Sequence, residues 1–277
     1  MIARPVRICY PGALYHAIAR GNNRERIVRD DKDRIEFLAI LARALERYGV
    51  LCHAYCLLDN HYHLVVETPL ANLPLFMRQL NGFFARYVNK QHGRIGHVFQ
   101  ARYRSILVEK ESYFLAVCRY VLLNPVRAGI CARPDEYHWS SYRETAGLIS
   151  RGALLCSDSL LSQFAPSRPR AEARYREFVA LGSPNLNAEV RGERLGSDEF
   201  LKRDFKLPTP LEEVPRRQWQ PDRRELAEIF ATEPTPIATA YRDHDYRLAE
   251  IACFLGYHYS TISRKLATEE QQVRRAA

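Results

Sequence analysis

This sequence lacks several features that would assign it to common classes of protein. It has no run of about 18 apolar residues, so we expect no membrane-spanning helix. Residues 1–5 lack an apolar core, so we expect no secretory signal peptide. The seven cysteines form no Cys-x-x-Cys pair, and their odd number fits reduced cytoplasmic thiols better than a disulfide framework. Neither a P-loop nor an acidic cluster is present, so nothing in the sequence indicates ATP-driven chemistry.

The positive charge is concentrated in the first half of the chain. The protein has 277 residues and a formal net charge of +9. Residues 1–150 hold 21 lysines and arginines against 13 acidic residues, whereas residues 151–277 hold 20 against 19. A basic surface favours a polyanionic substrate, and nucleic acid is the commonest one. Scattered solvated arginines are the alternative interpretation of the same excess.

The most informative motif is a pair of histidines, His61 and His63, at the start of an apolar run. Val65 and Val66 predict a strand, in which successive side chains alternate between the two faces. His61 and His63 therefore point the same way, and Tyr62 points to the opposite face. Two imidazoles one strand step apart can bind a single divalent transition-metal ion. A lone histidine on a strand is, however, more often a core or hydrogen-bonded residue than a ligand.

A second segment places a tyrosine and an amide at helical spacing. Tyr120 and Asn124 are four residues apart and so share one helix face. Pro125 disfavours helical geometry at Asn124, which predicts a last-turn position with the carboxamide free to reach outward. Arg119 and Arg127 lie beside the pair and could hold phosphate oxygens. The alternative is that Tyr120 is a packing aromatic residue, because apolar residues surround it.

The predicted elements occur in the order strand, helix, strand, strand, helix, strand, helix. The strands are predicted at 14–20, 51–57, 61–67 and 103–108, and the helices between Asp31 and Gly49, at about 73–91 and at 112–123. This order is that of an α+β fold with a ferredoxin-like antiparallel sheet. The first and third strands of such a sheet are its central pair, so His61 and His63 are expected on a central strand.

The composition changes in the second half of the chain. Residues 149–240 contain stretches rich in Ser, Pro and Arg, which predict a linker and a helical extension. Residues 241–270 predict two helices joined by a turn at Gly256. This is the layout of a helix-turn-helix module, and its second helix carries Arg264 and Lys265. An ordinary helical hairpin is the alternative.

Six motifs of the first half resemble those of the REP-associated tyrosine transposases, a branch of the single-tyrosine HUH transposases (HUH denotes His-hydrophobe-His). The motifs are Gly12–His16, Arg20–Asn22, Asp59–Leu64, Gly96–Tyr103, Arg119–Gly129 and Trp139–Tyr142. They occur in order over residues 8–148, and we assign residues 1–148 to one transposase domain. The helix-turn-helix resembles the end domain of a longer subgroup and would be an added DNA-binding module.

The resemblance implies a ferredoxin-like fold, a requirement for Mg²⁺ or Mn²⁺, and single-stranded DNA with hairpins as the substrate. It implies that such DNA is cleaved and rejoined through a 5′-phosphotyrosine intermediate. His61 and His63 match the metal-binding pair, Tyr120 matches the nucleophile, and Asn124 matches a third polar ligand. Tyr62 departs from the family pattern, in which a smaller hydrophobe such as valine is usual. We expect it to be tolerated because it faces away from the metal.

Arginines beside turns and aromatic residues are the candidate DNA contacts. Arg20 and Arg24 flank the turn at Gly21, and Arg102 and Arg104 lie close to Phe99 and Tyr103, on which bases could stack. Arg119 and Arg127 beside the tyrosine, and Arg264 and Lys265 in the predicted helix-turn-helix, complete the set. Each of these residues could equally be a solvated surface charge.

Two other functions stay open at the level of sequence. One is a DNA-binding regulator that uses the helix-turn-helix and has lost catalysis. The other is a His-x-His metallohydrolase with water as the nucleophile, for which only Asp59 and Glu67 are close in sequence as further ligands. We expect a bacterial cytoplasmic protein associated with the nucleoid, without membrane contact. It would act as a monomer or a homodimer, in contact with single-stranded hairpin DNA and, through the helix-turn-helix, duplex DNA.

Overall fold

The computed structural model describes residues 8–182, 186–205, 224–242, 244, 246 and 248–276. The predictions about residues 1–5 and about the proline-rich part of the linker, 206–223, fall outside the described residues. Two compact units divide the chain, residues 1–215 and residues 216–277. The sequence predicts domain boundaries at other places, after residues 148 and 240.

Seven elements in the predicted order form the body of the first unit. They are β1 (Ala13–Arg20), α1 (Asp31–Tyr48), β2 (Leu51–Leu57), β3 (His61–Thr68), α2 (Leu73–Gln91), β4 (Arg104–Val108) and α3 (Lys110–Leu122). Both ends of α1 are capped: the carboxylate of Asp30 accepts a hydrogen bond from the Asp33 N–H, and Gly49 ends the helix in the left-handed conformation. The α+β class and the element order are confirmed.

The sheet has five strands in the order β2-β3-β1-β4-β5. β1 pairs antiparallel with both β3 and β4, and β2 pairs antiparallel with β3. β1 and β3 are therefore the central pair, as predicted. β5 (Arg194–Leu195) adds a parallel edge beside β4, so the sheet is mixed. Two residues are too few to show strand alternation, so the sequence contained no usable signal for β5.

The two faces of the sheet are covered by different helices. α1 and α2 pack on the face that carries Tyr62, whose ring lies 4.8 Å from that of Phe37 and whose hydroxyl donates to Asn81. α3 packs on the opposite face, against buried residues such as Leu14, Val65 and Ile106. Alternation along β3 thus sends Tyr62 into one hydrophobic layer and the flanking histidines towards α3.

Residues 124–205 belong to the first unit and enlarge its core. Their helices are α4 (Asn124–Arg127), α5 (Tyr142–Thr145), α6 (Ser157–Leu161), α7 (Arg168–Ala180), α8 (Leu186–Glu189) and α9 (Asp198–Lys202). Ala171, Tyr175 and Val179 of α7 are buried in the same cluster as α3. These residues recur every four positions, a helical stripe within an otherwise polar sequence. The predicted linker therefore contains part of the hydrophobic core, which explains why the first unit extends beyond residue 148.

The second unit is helical throughout its described residues. It contains α10 (Leu226–Thr232), α11 (Pro236–Arg242), α12 (Leu248–Leu255) and α13 (Tyr259–Ala276). Side chains of all four helices, among them Ile229, Ile237, Ile251 and Ile262, form a small core. Gly256, in the left-handed conformation, separates α12 from α13. A mainly helical C-terminal region is confirmed. No helix among the residues described here is both long and apolar enough to cross a membrane.

Candidate active site

The strand register gathers basic side chains at one end of the central strands. Arg20 of β1 is paired with His61 of β3, and Ile18 is paired with both His63 and Arg104. Directly paired residues of neighbouring strands present their side chains on the same face. His61, His63, Arg20 and Arg104 therefore share the face on which α3 packs.

His16 joins this group, although it was not among the predicted site residues. Its Nε2 lies 2.8 Å from Nδ1 of His63, and the two rings stack with centroids 5.1 Å apart. The ring of Tyr120 meets His16 edge-on at 5.8 Å. A signal was present in the sequence, because alternation along β1 places His16 on the same face as Arg20. Its use required knowing that β1 and β3 are neighbours.

The first histidine of the motif, His61, is held by the residue before it. Nδ1 of His61 lies 2.6 Å from Oδ1 of Asn60, and the rings of His61 and His63 are 4.9 Å apart. The amide nitrogen of Asn60 donates to the carbonyl oxygen of Arg24 at 3.2 Å. Asn60 therefore links the turn after β1 to the start of β3.

The three imidazoles are held in the neutral form at pH 7. Burial, reinforced by the charges of Arg104 and Arg127, lowers the pKa of His16 to about 3. Burial and the charge of Arg20 lower the pKa of His61 to about 4. The pKa of His63 falls well below its usual range, because His63 is buried and lies beside two other imidazoles. Neutral imidazoles keep a lone pair, which is the form that binds a metal ion.

His63 has an unused nitrogen at this site. Its Nε2 is buried and has no hydrogen-bond partner among the described residues. An unsatisfied buried polar atom is uncommon and calls for an explanation, one of which is an ion bound in the functional state. Among those same residues, no three His, Cys, Asp or Glu side chains are grouped so as to hold a metal ion. A cation at this motif would therefore need an amide, the substrate or water to complete its coordination.

Tyr120 lies on α3 under a guanidinium group. The short helix α4 turns the chain back after α3, and this places Cζ of Arg127 3.6 Å from the centre of the Tyr120 ring. The same Arg127 donates from Nη2 to Oδ1 of Asn124 at 2.7 Å. A cation over an aromatic face is attracted to it electrostatically. The structure thus brings together Tyr120, Asn124 and Arg127, in agreement with their helical spacing.

The carboxamide of Asn124 is not free to reach outward, and that expectation is wrong. Its amide nitrogen donates to the carbonyl oxygens of Tyr120 and Val121 at 3.2 and 3.0 Å, and its oxygen accepts from Arg127. The physical reason is Pro125, which lacks the N–H group that would otherwise bond to Val121. The amide of Asn124 supplies a donor at this helix end instead.

The other predicted arginines lie in different environments. Arg119 is turned towards α7, where it donates to the carbonyl oxygen of Phe178 at 3.1 Å and covers the Phe178 ring, and burial lowers its pKa. It is not brought to the Tyr120 ring as Arg127 is. The remaining predicted contacts of the first unit are exposed: Arg20, Arg24, Arg102 and Arg104. Arg264 and Lys265 are exposed on α13 of the second unit.

The carboxylates that a water-based metallohydrolase would need are engaged elsewhere. Asp59 forms ion pairs with Arg26 and Arg34. Glu67 accepts from both Lys110 and His53, and it lies at the far end of β3 from His61. Neither carboxylate makes a contact with the histidine pair that would support this third function.

The solved structures that are similar to this chain include the following two. One is a REP-associated tyrosine transposase bound to a REP hairpin, with 14% sequence identity and a TM-score of 0.46, covering 55% of this chain and 93% of that chain. The other is a transposase-like protein from Deinococcus radiodurans R1, with 19% identity and a TM-score of 0.32, covering 44% of this chain and 97% of that chain. No curated protein matches this sequence.

The comparison with protein families concerns the part of the chain that holds the site. Residues 9–123 match the family model described as "Transposase IS200 like". This stretch runs from just before β1 to the end of α3, and it includes His16, His61, His63 and Tyr120. Residues 9–123 of this chain are therefore similar to the IS200-like transposases.

Proposed function

We propose that this protein is a tyrosine transposase that cleaves and rejoins single-stranded hairpin DNA of repeat elements. The observation that carries the proposal is the position of Tyr120, which lies beside the His16–His63 pair and under Arg127. The assignment to the REP-associated branch rests on the six sequence motifs. The site of action would be the bacterial cytoplasm at the nucleoid, with the protein acting as a monomer or homodimer.

Tyr120 would supply the nucleophile of the reaction. Its phenol gives up its proton to solvent and its oxygen attacks the phosphorus of the scissile phosphodiester, so that a bond from this oxygen to phosphorus forms and the bond to the 3′ oxygen breaks. The 3′ oxygen leaves and takes up a proton, while the 5′ phosphate stays on the tyrosine. Arg127, whose Cζ is only 3.6 Å from the ring centre, would attract the negative charge that the phenol carries once it has lost its proton. Rejoining reverses these steps, and the ester conserves the bond energy, so no ATP is required.

His61 and His63 would hold a Mg²⁺ or Mn²⁺ ion through their Nε2 atoms. The unpartnered Nε2 of His63 and the neutral state of both rings fit this role. A bound cation would act as a Lewis acid on the scissile phosphate. In this structure the side-chain oxygen of Asn124 accepts a hydrogen bond from Arg127. Asn124 would serve as a third ligand only if that hydrogen bond broke and the oxygen bound the cation instead.

The charges around the site would bind the DNA backbone. Arg20 and Arg104 are exposed and lie close enough to the histidines to lower their pKa values. Arg24 and Arg102 extend the exposed positive surface. In the second unit, Arg264 and Lys265 of α13 would contact phosphates of duplex DNA, if α12 and α13 act as a helix-turn-helix. Arg119 would reach the DNA only by leaving Phe178.

The test is a covalent trapping assay. Purified protein is incubated with end-labelled single-stranded hairpin DNA from repeats that flank its own gene, with Mn²⁺, and the products are separated on a denaturing gel. A slow covalent band that requires metal and is absent with Tyr120→Phe is the expected result. Tyr113→Phe is the matched control, because Tyr113 lies on the same helix and is only partly buried. This control should form the covalent band as the wild type does.

Each other outcome overturns part of the proposal. DNA that is retarded in a native gel without any covalent band, with several hairpins and both metals, would favour the DNA-binding regulator. Cleavage that survives Tyr120→Phe would indicate water as the nucleophile. Cleavage that proceeds unchanged in His61→Ala, His63→Ala double variants would exclude the His-x-His motif from catalysis.

A further inference from the structure

Each histidine of the motif has its Nδ1 atom in contact with one specific side chain. Asn60 contacts Nδ1 of His61 at 2.6 Å, and His16 contacts Nδ1 of His63 at 2.8 Å. A histidine that binds a metal commonly donates its other ring N–H to a second group, which sets the tautomer and the orientation of the ring. Both partners lie outside the metal-binding set described above.

The tautomer of His61 follows from the contacts of Asn60. The amide nitrogen of Asn60 donates to the Arg24 carbonyl, so the amide oxygen is the atom that faces His61. An amide oxygen only accepts hydrogen bonds, so Nδ1 of His61 must carry the proton. Its Nε2 then has a bare lone pair. The Arg24 carbonyl is itself fixed, because Asn23 and Arg24 both adopt the left-handed conformation within a tight turn after Gly21.

The contact between His63 and His16 has the corresponding geometry. One proton is shared between Nδ1 of His63 and Nε2 of His16. If His63 is the donor, its buried Nε2 has a lone pair that a cation would satisfy. If His16 is the donor, the buried Nε2 of His63 carries a proton without an acceptor among the described residues. With His63 as the donor, and with a cation bound to Nε2, both ring nitrogens of His63 have a partner.

We propose that Asn60 and His16 are positioning residues, which accept hydrogen bonds from the Nδ1–H groups of His61 and His63 and so present both Nε2 lone pairs to one divalent cation. This inference rests on the proposed function, because it assumes that the two histidines hold the cation. His16 would thus act from β1 on a histidine of β3, because the pairing of these two strands brings His16 and His63 together. It also couples the turn at Gly21–Arg24 to the metal site through Asn60.

The experiment measures Mn²⁺ affinity of the metal-free full-length protein, from the free Mn²⁺ signal in electron paramagnetic resonance, without DNA. His16→Leu removes the acceptor for His63, whereas His16→Gln can place a polar atom where the ring Nε2 lies. Asn60→Leu removes the acceptor for His61, whereas Asn60→Asp keeps an oxygen there, loses the donor to Arg24 and adds a negative charge. Both leucine variants should weaken Mn²⁺ binding on the order of 10–100-fold. The glutamine and aspartate variants should retain most of the affinity.

Three controls make the result specific. Tyr15→Phe alters the neighbouring residue of β1, whose side chain lies on the opposite face, and should leave Mn²⁺ affinity unchanged. Thermal melting of each variant shows whether it folds, and binding is compared only among variants that do. His61→Ala tests the underlying function: if this variant binds Mn²⁺ as the wild type does, the proposed metal site is wrong. If His61→Ala loses binding while His16→Leu and Asn60→Leu keep it, the metal site stands and the positioning roles are refuted.

Discussion

Replacing Glu67 with glutamine should destabilise the first unit at neutral pH and leave the site intact. The Glu67 carboxylate accepts from Nζ of Lys110 at 2.7 and 2.8 Å and from Nε2 of His53 at 3.1 Å. The hydrogen bond from His53, followed by the bond and charge of Lys110, outweighs burial and lowers the pKa of Glu67 from 4.5 to about 2. Glu67 is near the C-terminal end of β3, and the histidines are at the other end, so DNA cleavage should not change.

The magnitude follows from the change in pKa. A difference of about 2.5 pH units between the folded and unfolded states corresponds to about 3 kcal/mol at neutral pH, at ~1.4 kcal/mol per unit. The Lys110 side chain is 41% exposed, so solvent screening reduces its share. We therefore expect Glu67→Gln to lower the free energy of unfolding by about 1–2 kcal/mol at pH 7.

The dependence on pH has a defined sign. Because the folded-state pKa is depressed, the unfolded state binds more protons than the folded state between about pH 4.5 and pH 2. The contribution of Glu67 is complete above this window and is lost as the pH falls through it. The difference between wild type and Glu67→Gln should accordingly be constant from pH 7 to pH 5 and should shrink towards zero near pH 2.

The assay is urea unfolding followed by the fluorescence of Trp139, in a Trp219→Phe background that leaves this one tryptophan in the chain. Glu36→Gln is the matched control, because Glu36 forms an exposed ion pair with Arg43 and such pairs contribute at most about 1 kcal/mol. Equal stability of Glu67→Gln and wild type at pH 7 would refute the reasoning. The reasoning would also be refuted if the difference in free energy of unfolding between wild type and Glu67→Gln stayed constant down to about pH 2.

Three further predictions concern the core and the nucleophile. Tyr175→Ala should lower the free energy of unfolding of the first unit by about 3–5 kcal/mol in the same assay, because the Tyr175 ring is buried in the cluster that contains α3. A loss below about 1 kcal/mol would show that the residues beyond 148 are an independent linker. Tyr62→Val introduces the residue that is usual in the family and leaves a cavity beside Phe37. It should therefore lower the free energy of unfolding by about 2–4 kcal/mol. Unchanged stability would contradict the packing of Tyr62 against Phe37. Arg127→Ala should slow formation of the covalent adduct about 10–30-fold in a gel time course, and Arg127→Lys should have an intermediate rate. An unchanged rate in Arg127→Ala would show that Arg127 does not assist Tyr120.

Local sequence patterns were sufficient to predict several parts of the molecule. Alternation along β3 put His61 and His63 on one face and Tyr62 on the other, because the direction of a strand side chain is a property of its own backbone. The spacing of Tyr120 and Asn124 likewise brings both to the junction of α3 and α4. The element order predicted the central pairing of β1 with β3, and the structure confirms it.

Other features depended on residues distant in sequence. His16 and His63 are 47 residues apart, and only the pairing of two strands brings their nitrogens to 2.8 Å. Arg119 and Arg127 have the same side chain and flank the same tyrosine, yet one is held by Phe178 of α7 and the other covers Tyr120. No local pattern over residues 119–127 distinguishes them, because the difference comes from the packing of α7, which engages Arg119 alone.

The sequence by itself thus determined the order of the elements and the alternation of His61, Tyr62 and His63 between the two faces of β3, and it singled out the histidine pair and Tyr120 as candidate site residues. These are consequences of backbone periodicity and of short motifs, which act over a few residues. Only the tertiary structure decided that His16 lies at the site, that the Asn124 carboxamide is occupied, and that α7 completes the core of the first unit. Such contacts depend on packing between distant segments, which local periodicity does not specify.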